Sequence, residues 1–318
     1  MRIYDNKAQK TRKDRLKMTP IIEIKNLSKS YRKAKVVDNF NLSIEQGHIC
    51  GLIGPNGAGK TTIMKILAGL AEKDSGVVSF FGDSENLDKN RSRMSFMIEN
   101  PMLDGNMTAR QNLEYIRYVR GVASKKRIDE VLDFVELEDN NKKVSKYSLG
   151  MKQRLAIAVS LLSSPEVMVL DEPINGVDPE GIVDIRKMLQ KLSIEQNVTI
   201  LISSHILSEM AELCTDFAII HSGRLIEELS AGELAIKCRN HISLKTDNIS
   251  RTTVVLEEKL YITNYQVLHN DEIHIYEQID EIPLISKTVT ESGLIITKLT
   301  NDGENLEEYY LSKVGGSK

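Results

Sequence analysis

The chain has 318 residues, of which 41% are hydrophobic and 27% are charged, and its formal net charge at pH 7 is −3. This length is sufficient for one large domain or two ordinary domains with a sizeable core. The slightly negative charge argues against binding to nucleic acid through electrostatic attraction alone. No run of 18 apolar residues predicts a membrane-spanning helix. We therefore expect a protein that stays in the cytoplasm, with any membrane-spanning segments on a separate polypeptide.

The cysteines Cys50, Cys214 and Cys238 lie far apart and lack the spacing of metal ligands. This pattern predicts buried or incidental thiols in a reducing compartment. The sequence therefore predicts neither a disulfide framework nor a zinc site.

Residues 1–19 form a polar tail in which lysine and arginine outnumber aspartate. Its composition lacks apolar periodicity and predicts disorder, although a basic arm that binds nucleic acid or lipid is an alternative. Met18 stands just before the first segment with a strand-like pattern, so we also consider Met18 as the start of translation.

Residues 20–229 alternate between strand-like and helix-like segments. Short apolar or alternating runs begin at Ile21 and read IIEIKNL, NLSIEQG, HICGLIG, VMVLDEP and TILISSH, and helical patterns include TTIMKILAGL and MKQRLAIAVSLL. Strands that alternate with helices predict an α/β domain with a parallel sheet covered by helices. The segment FAIIHSGRLIEE, with Ser-Gly between two apolar runs, predicts a hairpin that closes the domain.

Residues 230–318 have a different pattern and predict a small α+β domain. Its segments in order are a strand HISLKT, a helix ISRTTVVLEEKL, a hairpin YQVLHNDEIHIYE, a helix EIPLISKTVTESG, a strand LIITKL and a helix NLEEYYLSKV. This order is that of a ferredoxin-like unit.

The clearest functional motif lies between an apolar strand and a helical run, and it matches G-x-x-x-x-G-K-[ST]. Its residues and the threonine that follows are Gly54, Pro55, Asn56, Gly57, Ala58, Gly59, Lys60, Thr61 and Thr62. Glycines allow the backbone N–H groups to face inward, and the helix that follows presents its positive end to an anion. Lys60 is expected to reach the outer phosphates of a nucleotide, and Thr61 to bind magnesium.

A second motif is the buried-type strand Val167–Leu170, which ends in Asp171 and Glu172. In an enzyme with a phosphate loop, an aspartate at such a strand end holds magnesium and a neighbouring glutamate polarises the attacking water. Without the phosphate loop, Asp-Glu before Pro would more often form a turn. His205 follows another apolar strand and is placed to contact the terminal phosphate or the water.

These residues resemble the ATP-binding subunits of ABC transporters from about Ile22 to Arg224. The distinguishing segment is Tyr147-Ser148-Leu149-Gly150-Met151-Lys152-Gln153-Arg154, which stands where the family has LSGGQ-x-QR. Leu149 and Met151 depart from the Gly and Gln of the family pattern. A serine hydroxyl and N–H groups at a helix start still form an anion site.

The resemblance implies how the other parts of the site act. Family subunits pair head to tail, so the segment of Ser148, Leu149, Gly150 and Met151 would contact the terminal phosphate bound by a second chain, in a homodimer. Asp178 resembles the aspartate of the family's D-loop, and Tyr31 resembles the aromatic residue that stacks on adenine. The resemblance also implies separate membrane permease subunits as partners and a location at the cytoplasmic face of the cell membrane.

Glu99 stands where the family usually has a glutamine after a strand. We expect it to join Thr61 and Asp171 around Mg²⁺. The segments MIENP, YSLGMKQRLAIA and INGVDPEGI are similar to the bacitracin-resistance and lantibiotic-immunity subunits, and the glutamate resembles the lantibiotic-immunity branch in particular.

The sequence thus predicts an ATPase that uses ATP and Mg²⁺ to move an antimicrobial peptide or related amphiphile through a separate permease. Lys60, Glu172 and His205 are the predicted catalytic residues. One alternative is the same ATPase with another cargo. Another is a soluble ABC ATPase acting on nucleic acid, but such proteins carry two cassettes or long coiled coils, and this sequence has neither.

Overall fold

The computed structural model describes residues 19–32, 34–99, 103–238, 240–268, 271–302 and 306–315. The expectations for the basic tail and for a start at Met18 concern residues outside these ranges. The chain forms two compact units, of which the first ends at Ala231 and the second begins at Gly232. Within the described ranges, no helix is both long enough and apolar enough to cross a membrane.

The first unit combines a mixed sheet, an antiparallel sheet and surrounding helices. Its strands are β1 (Ile22–Tyr31), β2 (Ala34–Ile44), β3 (Ile49–Ile53), β4 (Ser75–Phe80), β5 (Met94–Met97), β6 (Val167–Asp171), β7 (Thr199–Ser204), β8 (Asp216–His221) and β9 (Arg224–Ser230). Its helices are α1 (Lys60–Leu67), α2 (Leu87–Arg91), α3 (Ala109–Val119), α4 (Lys126–Phe134), α5 (Leu149–Leu161), α6 (Pro179–Gln196) and α7 (Leu207–Leu213). A 3₁₀ turn lies at Val144–Lys146, and α8 (Ala231–Lys237) begins at the boundary between the units.

The larger sheet has the strand order β5-β6-β7-β3-β8-β9. Neighbours from β5 to β8 are parallel, and β9 pairs antiparallel with β8. Every residue of β3, β6 and β7 is buried, which explains why these strands are continuous apolar runs and not alternating ones. The parallel sheet predicted from the sequence is therefore confirmed.

The predicted hairpin is also confirmed, because β8 and β9 are joined by Ser222 and Gly223 alone. Both residues have positive φ, 48° and 79°, as a type I′ turn requires. A smaller antiparallel sheet of order β2-β1-β4 was not predicted. It contributes Ile22, Phe40 and Phe80 to a buried apolar core that also includes residues of β3, β6 and α1.

The second unit has the predicted β-α-β-β-α-β order. It consists of β10 (His241–Thr246), α9 (Ile249–Lys259), β11 (Tyr265–Val267), β12 (Ile273–Ile275), α10 (Ile282–Glu291) and β13 (Ile296–Asp302), followed by α11 (Leu306–Gly315). The strands form an antiparallel sheet of order β11-β12-β10-β13. Its own apolar core includes Ile242 and Ile275 from the sheet, Leu256 from α9 and Ile285 from α10. Asn248 caps α9 by accepting a hydrogen bond from the Arg251 N–H at 3.0 Å.

Candidate active site

The candidate site lies at the edge of the larger sheet where three neighbouring parallel strands end. Ile53, the last residue of β3, is paired with Ser204 in β7, and Asp171, the last residue of β6, is paired with Ser203. The segments that follow these strands therefore emerge side by side. This edge is the usual place of ligand sites in open parallel sheets.

The loop from Gly54 to Gly59 connects β3 to α1 and contains two glycines with positive φ. Gly57 has φ of 81° with open space around its Cβ position, and Gly59 has φ of 106°. A Cβ on Gly59 would lie 2.7 Å from the Val36 carbonyl oxygen, so only glycine fits there. Pro55, Asn56 and Gly57 are exposed, whereas Gly54, Ala58, Gly59 and Lys60 are buried and Thr61 and Thr62 are half-buried.

Lys60 is only 5% exposed, and its ammonium group lies within the loop. It donates hydrogen bonds to the Gly54 and Pro55 carbonyl oxygens at 2.6 and 3.2 Å. Glu172 Oε1 lies 3.7 Å from Lys60 Nζ. Burial lowers the pKa of Lys60 below its ordinary value, and the charges of Glu172 and Asp171 partly oppose this effect. An anion bound in the loop would also favour the charged form of Lys60 and so oppose the effect of burial on its pKa.

Asp171 and Glu172 are organised by a serine from the neighbouring strand. The Ser203 hydroxyl donates to Asp171 Oδ1 at 2.6 Å and accepts from the Glu172 N–H at 3.0 Å. Asp171 is 6% exposed. Glu172 has φ of 51°, in the left-handed region, which is uncommon for a residue other than glycine. A strained residue held by its neighbours in this way is typical of functional sites.

The Glu172 carboxylate joins the loop lysine to His205. Its Oε1 faces Lys60, and its Oε2 forms a 2.7 Å hydrogen bond with His205 Nδ1. The Glu172 side chain is 23% exposed and that of His205 is 43% exposed. The structure therefore brings together all three residues that the sequence identified as catalytic. A carboxylate and an imidazole in hydrogen-bond contact are suited to orient a water molecule and accept its proton.

Glu99 lies two residues beyond β5 and forms an ion pair with a residue of α1. Lys65 Nζ donates to Glu99 Oε1 at 2.5 Å, and the Glu99 side chain is 63% exposed. This bond raises the pKa of Lys65 above its ordinary value, with smaller contributions from the charges of Tyr31 and Asp171. Tyr31 is 46% exposed at the end of β1, and the Lys29 ammonium lies 5.3 Å from its ring centroid.

The segment that resembles the family signature forms the start of α5. Ser148 caps the helix, because its hydroxyl accepts a hydrogen bond from the Met151 N–H at 3.2 Å. Leu149 is 45% exposed, and Gly150 is buried. Asp178 precedes α6, and its Oδ1 lies 3.6 Å from where a Cβ on Gly150 would be. The first turns of α5 and α6 therefore lie close together within one chain.

The chain is similar to known proteins along most of its length. A family model described as ABC transporter matches residues 37–175. The chain is 40% identical over 304 residues to the bacitracin transport ATP-binding protein BcrA of Bacillus licheniformis, covering 94% of this chain and 99% of that protein. The chain belongs to the ATP-binding subunits of ABC transporters. As a member of this family, the ATP-binding subunit is an ATPase.

Two further matches agree with this family. The ATP-binding subunit is 44% identical over 209 residues to the lantibiotic transport ATP-binding protein SrtF of Streptococcus pyogenes, covering 65% of this chain and 90% of that protein. It is also similar to a dimeric ATP-binding cassette in a post-hydrolysis state, bound to ADP and Pi. That match has a TM-score of 0.60 and 27% identity, and covers 66% of this chain and 98% of the other.

Sequence analysis missed two residues that organise the site of this ATP-binding subunit. Ser203, which holds Asp171 and Glu172, lies in a run of apolar residues, TILISS, whose polar end was the available indication. Lys65, the partner of Glu99, lies 34 residues before it on α1, and no spacing rule connects the two. Both contacts depend on how strands and helices are placed in the fold.

Proposed function

We propose that this subunit hydrolyses MgATP in a head-to-tail dimer and drives separate membrane permease subunits that carry a bacitracin-like or lantibiotic-like peptide. It would act at the cytoplasmic face of the membrane. The observation that carries the catalytic part is the Glu172 carboxylate, which contacts both Lys60 and His205 beside the glycine loop.

ATP would bind with its phosphates in the loop from Gly54 to Thr62. The glycines at 57 and 59 allow the backbone N–H groups to face an anion, and α1 adds its positive end. Lys60 would exchange its bonds to loop carbonyl oxygens for bonds to phosphate oxygens. The exposed ring of Tyr31 offers a face for stacking on adenine.

The residues proposed for Mg²⁺ are Thr61, Asp171 and Glu99. They offer a hydroxyl and carboxylates, the hard oxygen ligands that this ion prefers. The fit is best for Asp171, whose buried carboxylate is held by Ser203 and lies close enough to affect the pKa of Lys60. When bound, the ion would neutralise charge on the phosphate oxygens.

Glu172 would hold the attacking water and accept its proton, and His205 would contact the terminal phosphate. The His205 hydrogen bond holds one oxygen of the carboxylate, and the other oxygen lies 3.7 Å from Lys60 Nζ. A positioned carboxylate of this kind contributes a factor of about 10² to 10⁴ in rate.

The start of α5 would complete the site of a second chain. Ser148, Leu149, Gly150 and Met151 would contact the terminal phosphate bound by the partner, with Asp178 beside them. Support comes from the Ser148 cap, which leaves a hydroxyl and helix N–H groups at an accessible helix start, and from the dimeric cassette that this fold matches.

The relatives support the proposed cargo and the proposed permease partner. The similarity to a bacitracin transport subunit extends over 94% of this chain and includes the second unit. A transport ATPase of this kind would need membrane-spanning partners. ATP hydrolysis by this subunit would then supply the energy for transport, and the permease would select the cargo.

The test uses the subunit purified with its permease in lipid vesicles. We expect bacitracin or a lantibiotic to raise phosphate release at least about twofold, since cognate cargo stimulates its own transporter. A matched complex with Glu172→Gln should show no stimulated release. Equal stimulation by an unrelated amphiphile of the same charge would contradict the proposed cargo class, and release that persists in Glu172→Gln would contradict the proposed mechanism.

A further inference from the structure

Leu149 and Gly176 are in tight contact between the start of α5 and the loop before α6. Leu149 Cδ2 lies 2.9 Å from the position that a Cβ on Gly176 would occupy. Gly176 also has φ of 73°, in the left-handed region. Both its backbone conformation and the leucine above it therefore require glycine. The family pattern LSGGQ has a glycine at the position that Leu149 occupies in this chain.

The loop of residues 175–178 is also held from its other sides. A Cβ on Gly150 would lie 3.4 Å from Val177 Cγ1, and a Cβ on Gly181 would lie 2.7 Å from the same atom. Val177 is 8% exposed, so the first turns of α5 and α6 enclose it. Gly150 and Gly181 approach the loop at Val177, whereas Leu149 contacts it at Gly176.

The 175–178 loop is connected to Glu172 by two short turns. The Asn175 N–H donates to the Glu172 carbonyl oxygen at 3.2 Å, and the Val177 N–H donates to the Ile174 carbonyl oxygen at 3.3 Å. Ile174 is 1% exposed and anchors the segment in the core. The first of these turns begins at Glu172, which has a left-handed backbone and whose carboxylate bonds His205, so the loop is linked directly to the residue that carries this carboxylate.

We propose that Leu149 is a positioning residue for hydrolysis. Its side chain holds Gly176 and thereby fixes the relative placement of the α5 start and the Glu172 carboxylate. The α5 start serves one nucleotide of the dimer and Glu172 serves the other, so Leu149 couples the two sites. This inference rests on the proposed roles of Glu172 and α5. The positioning role acts within one chain through Gly176, and it is separate from the contact that the segment of Ser148 to Met151 would make with the partner's phosphate.

The first experiment compares kcat and KM for ATP in Leu149→Ala and Leu149→Met. We expect Leu149→Ala to lower kcat about fivefold and to change KM less than about twofold, because it acts on the placement of Glu172 and not on the phosphate loop. Leu149→Met, which keeps a long apolar side chain, should stay within about twofold of wild type. Leu284→Ala is the control, since Leu284 has a similar exposure of 47% and lies in the second unit.

A double-mutant cycle with Gly176→Ala tests the contact itself. A methyl group at Gly176 clashes with Leu149 and also strains the backbone, but only the clash depends on Leu149. The double variant Leu149→Ala, Gly176→Ala should therefore have a kcat at least about threefold higher than the product of the single effects. Single effects that simply multiply would overturn the proposal.

The last measurement separates positioning from a contact with the partner. ATP-dependent dimerisation of Leu149→Ala is followed in the Glu172→Gln background, and we expect it to match the background. Loss of dimerisation would overturn the proposal, because the lower turnover of Leu149→Ala would then come from the interface and not from the placement of Glu172. If Glu172→Gln itself keeps wild-type turnover, the proposed function is wrong. If Glu172→Gln loses turnover while the Leu149 and Gly176 effects multiply, only the positioning role is wrong.

Discussion

The two helix starts that would meet ATP are built differently. α1 follows Gly59, which has positive φ and no side chain to cap the helix. α5 follows Ser148, whose hydroxyl accepts the Met151 N–H. The N–H groups at the start of α1 therefore have no side-chain acceptor and are available to a ligand. At the start of α5, the Met151 N–H is already bonded to a side chain of the same chain.

This difference suggests a division of work. The start of α1 lies beside a buried lysine and has N–H groups without a side-chain cap. An anion bound there would accept hydrogen bonds from these N–H groups and would balance the charge of the lysine. The start of α5 is already stabilised by its cap, and in the proposed dimer the Ser148 hydroxyl would make a further contact only when a second chain approaches. We therefore expect changes at α1 to affect ATP binding and changes at α5 to affect turnover.

The largest expected effect is at Glu172. Glu172→Gln should lower kcat by a factor of about 10² or more and leave ATP affinity within about threefold, because the amide has the same volume but cannot accept the proton. Lys60→Ala should instead weaken ATP binding by at least about tenfold. Nucleotide titrations and phosphate-release assays on both variants measure the two effects. Near wild-type turnover in Glu172→Gln would remove Glu172 as the catalytic carboxylate.

The second prediction concerns the α5 side of the comparison. Ser148→Arg should abolish turnover and leave ATP binding within about threefold, because a bulky cation blocks the approach of the partner's phosphate. Ser148→Ala is the control for the cap, and it should lower the free energy of unfolding by about 1 kcal/mol.

The dependence of activity on protein concentration is an independent test of the site shared between two chains. Wild-type specific activity should rise with concentration across the dimerisation range. A specific activity that is constant across this range, or an unchanged rate in Ser148→Arg, would contradict a site shared between chains.

The sequence predicted the α1 side of the site more completely than the α5 side. The spacing of Gly54, Gly59 and Lys60 defines the loop by itself, and the positions of Asp171 and His205 after buried strands follow from the geometry of parallel sheets. These predictions depend on local patterns. In the structure, β3, β6 and β7 end at one edge of the sheet, as these patterns predict.

The contacts around α5 depend on packing between segments that are distant in sequence. Leu149 meets Gly176, and Val177 lies between Gly150 and Gly181, but neither contact follows from any periodicity. The left-handed backbone of Glu172 is equally unpredictable, because glutamate seldom adopts it. The contacts around α5 and the backbone conformation of Glu172 depend on tertiary structure, and local sequence patterns therefore do not predict them.

The third prediction separates strain from steric clash in the α1 loop. Gly57→Ala introduces only an unfavourable φ, since nothing lies within 4 Å of its Cβ position, whereas Gly59→Ala also brings the methyl 2.7 Å from the Val36 oxygen. We expect unfolding free energy without nucleotide to fall by about 1–2 kcal/mol in Gly57→Ala and by about 2–5 kcal/mol in Gly59→Ala. Chemical denaturation measures both. Equal losses would show that the loop moves to accept the methyl.

The smallest effects are expected at Glu99, where two roles compete. As a magnesium ligand, Glu99 would increase the preference for MgATP over metal-free ATP, because its charge attracts the cation and repels the phosphates. As the partner of Lys65, it would mainly place the segment after β5 against α1. Both side chains are partly exposed, so the ion pair itself contributes little to stability.

A set of three variants distinguishes these roles through ATP affinity measured with and without magnesium. Glu99→Gln should keep hydrolysis within about tenfold of wild type and improve binding of metal-free ATP. Lys65→Gln removes the ion pair but leaves the carboxylate, so it should keep the wild-type ratio of the two affinities. If Glu99 acts on the metal, the variant Glu99→Gln, Lys65→Gln shows the ratio of Glu99→Gln alone. If all three variants keep the wild-type ratio, Glu99 is not a magnesium ligand, and its role is limited to the ion pair that places the segment after β5 against α1.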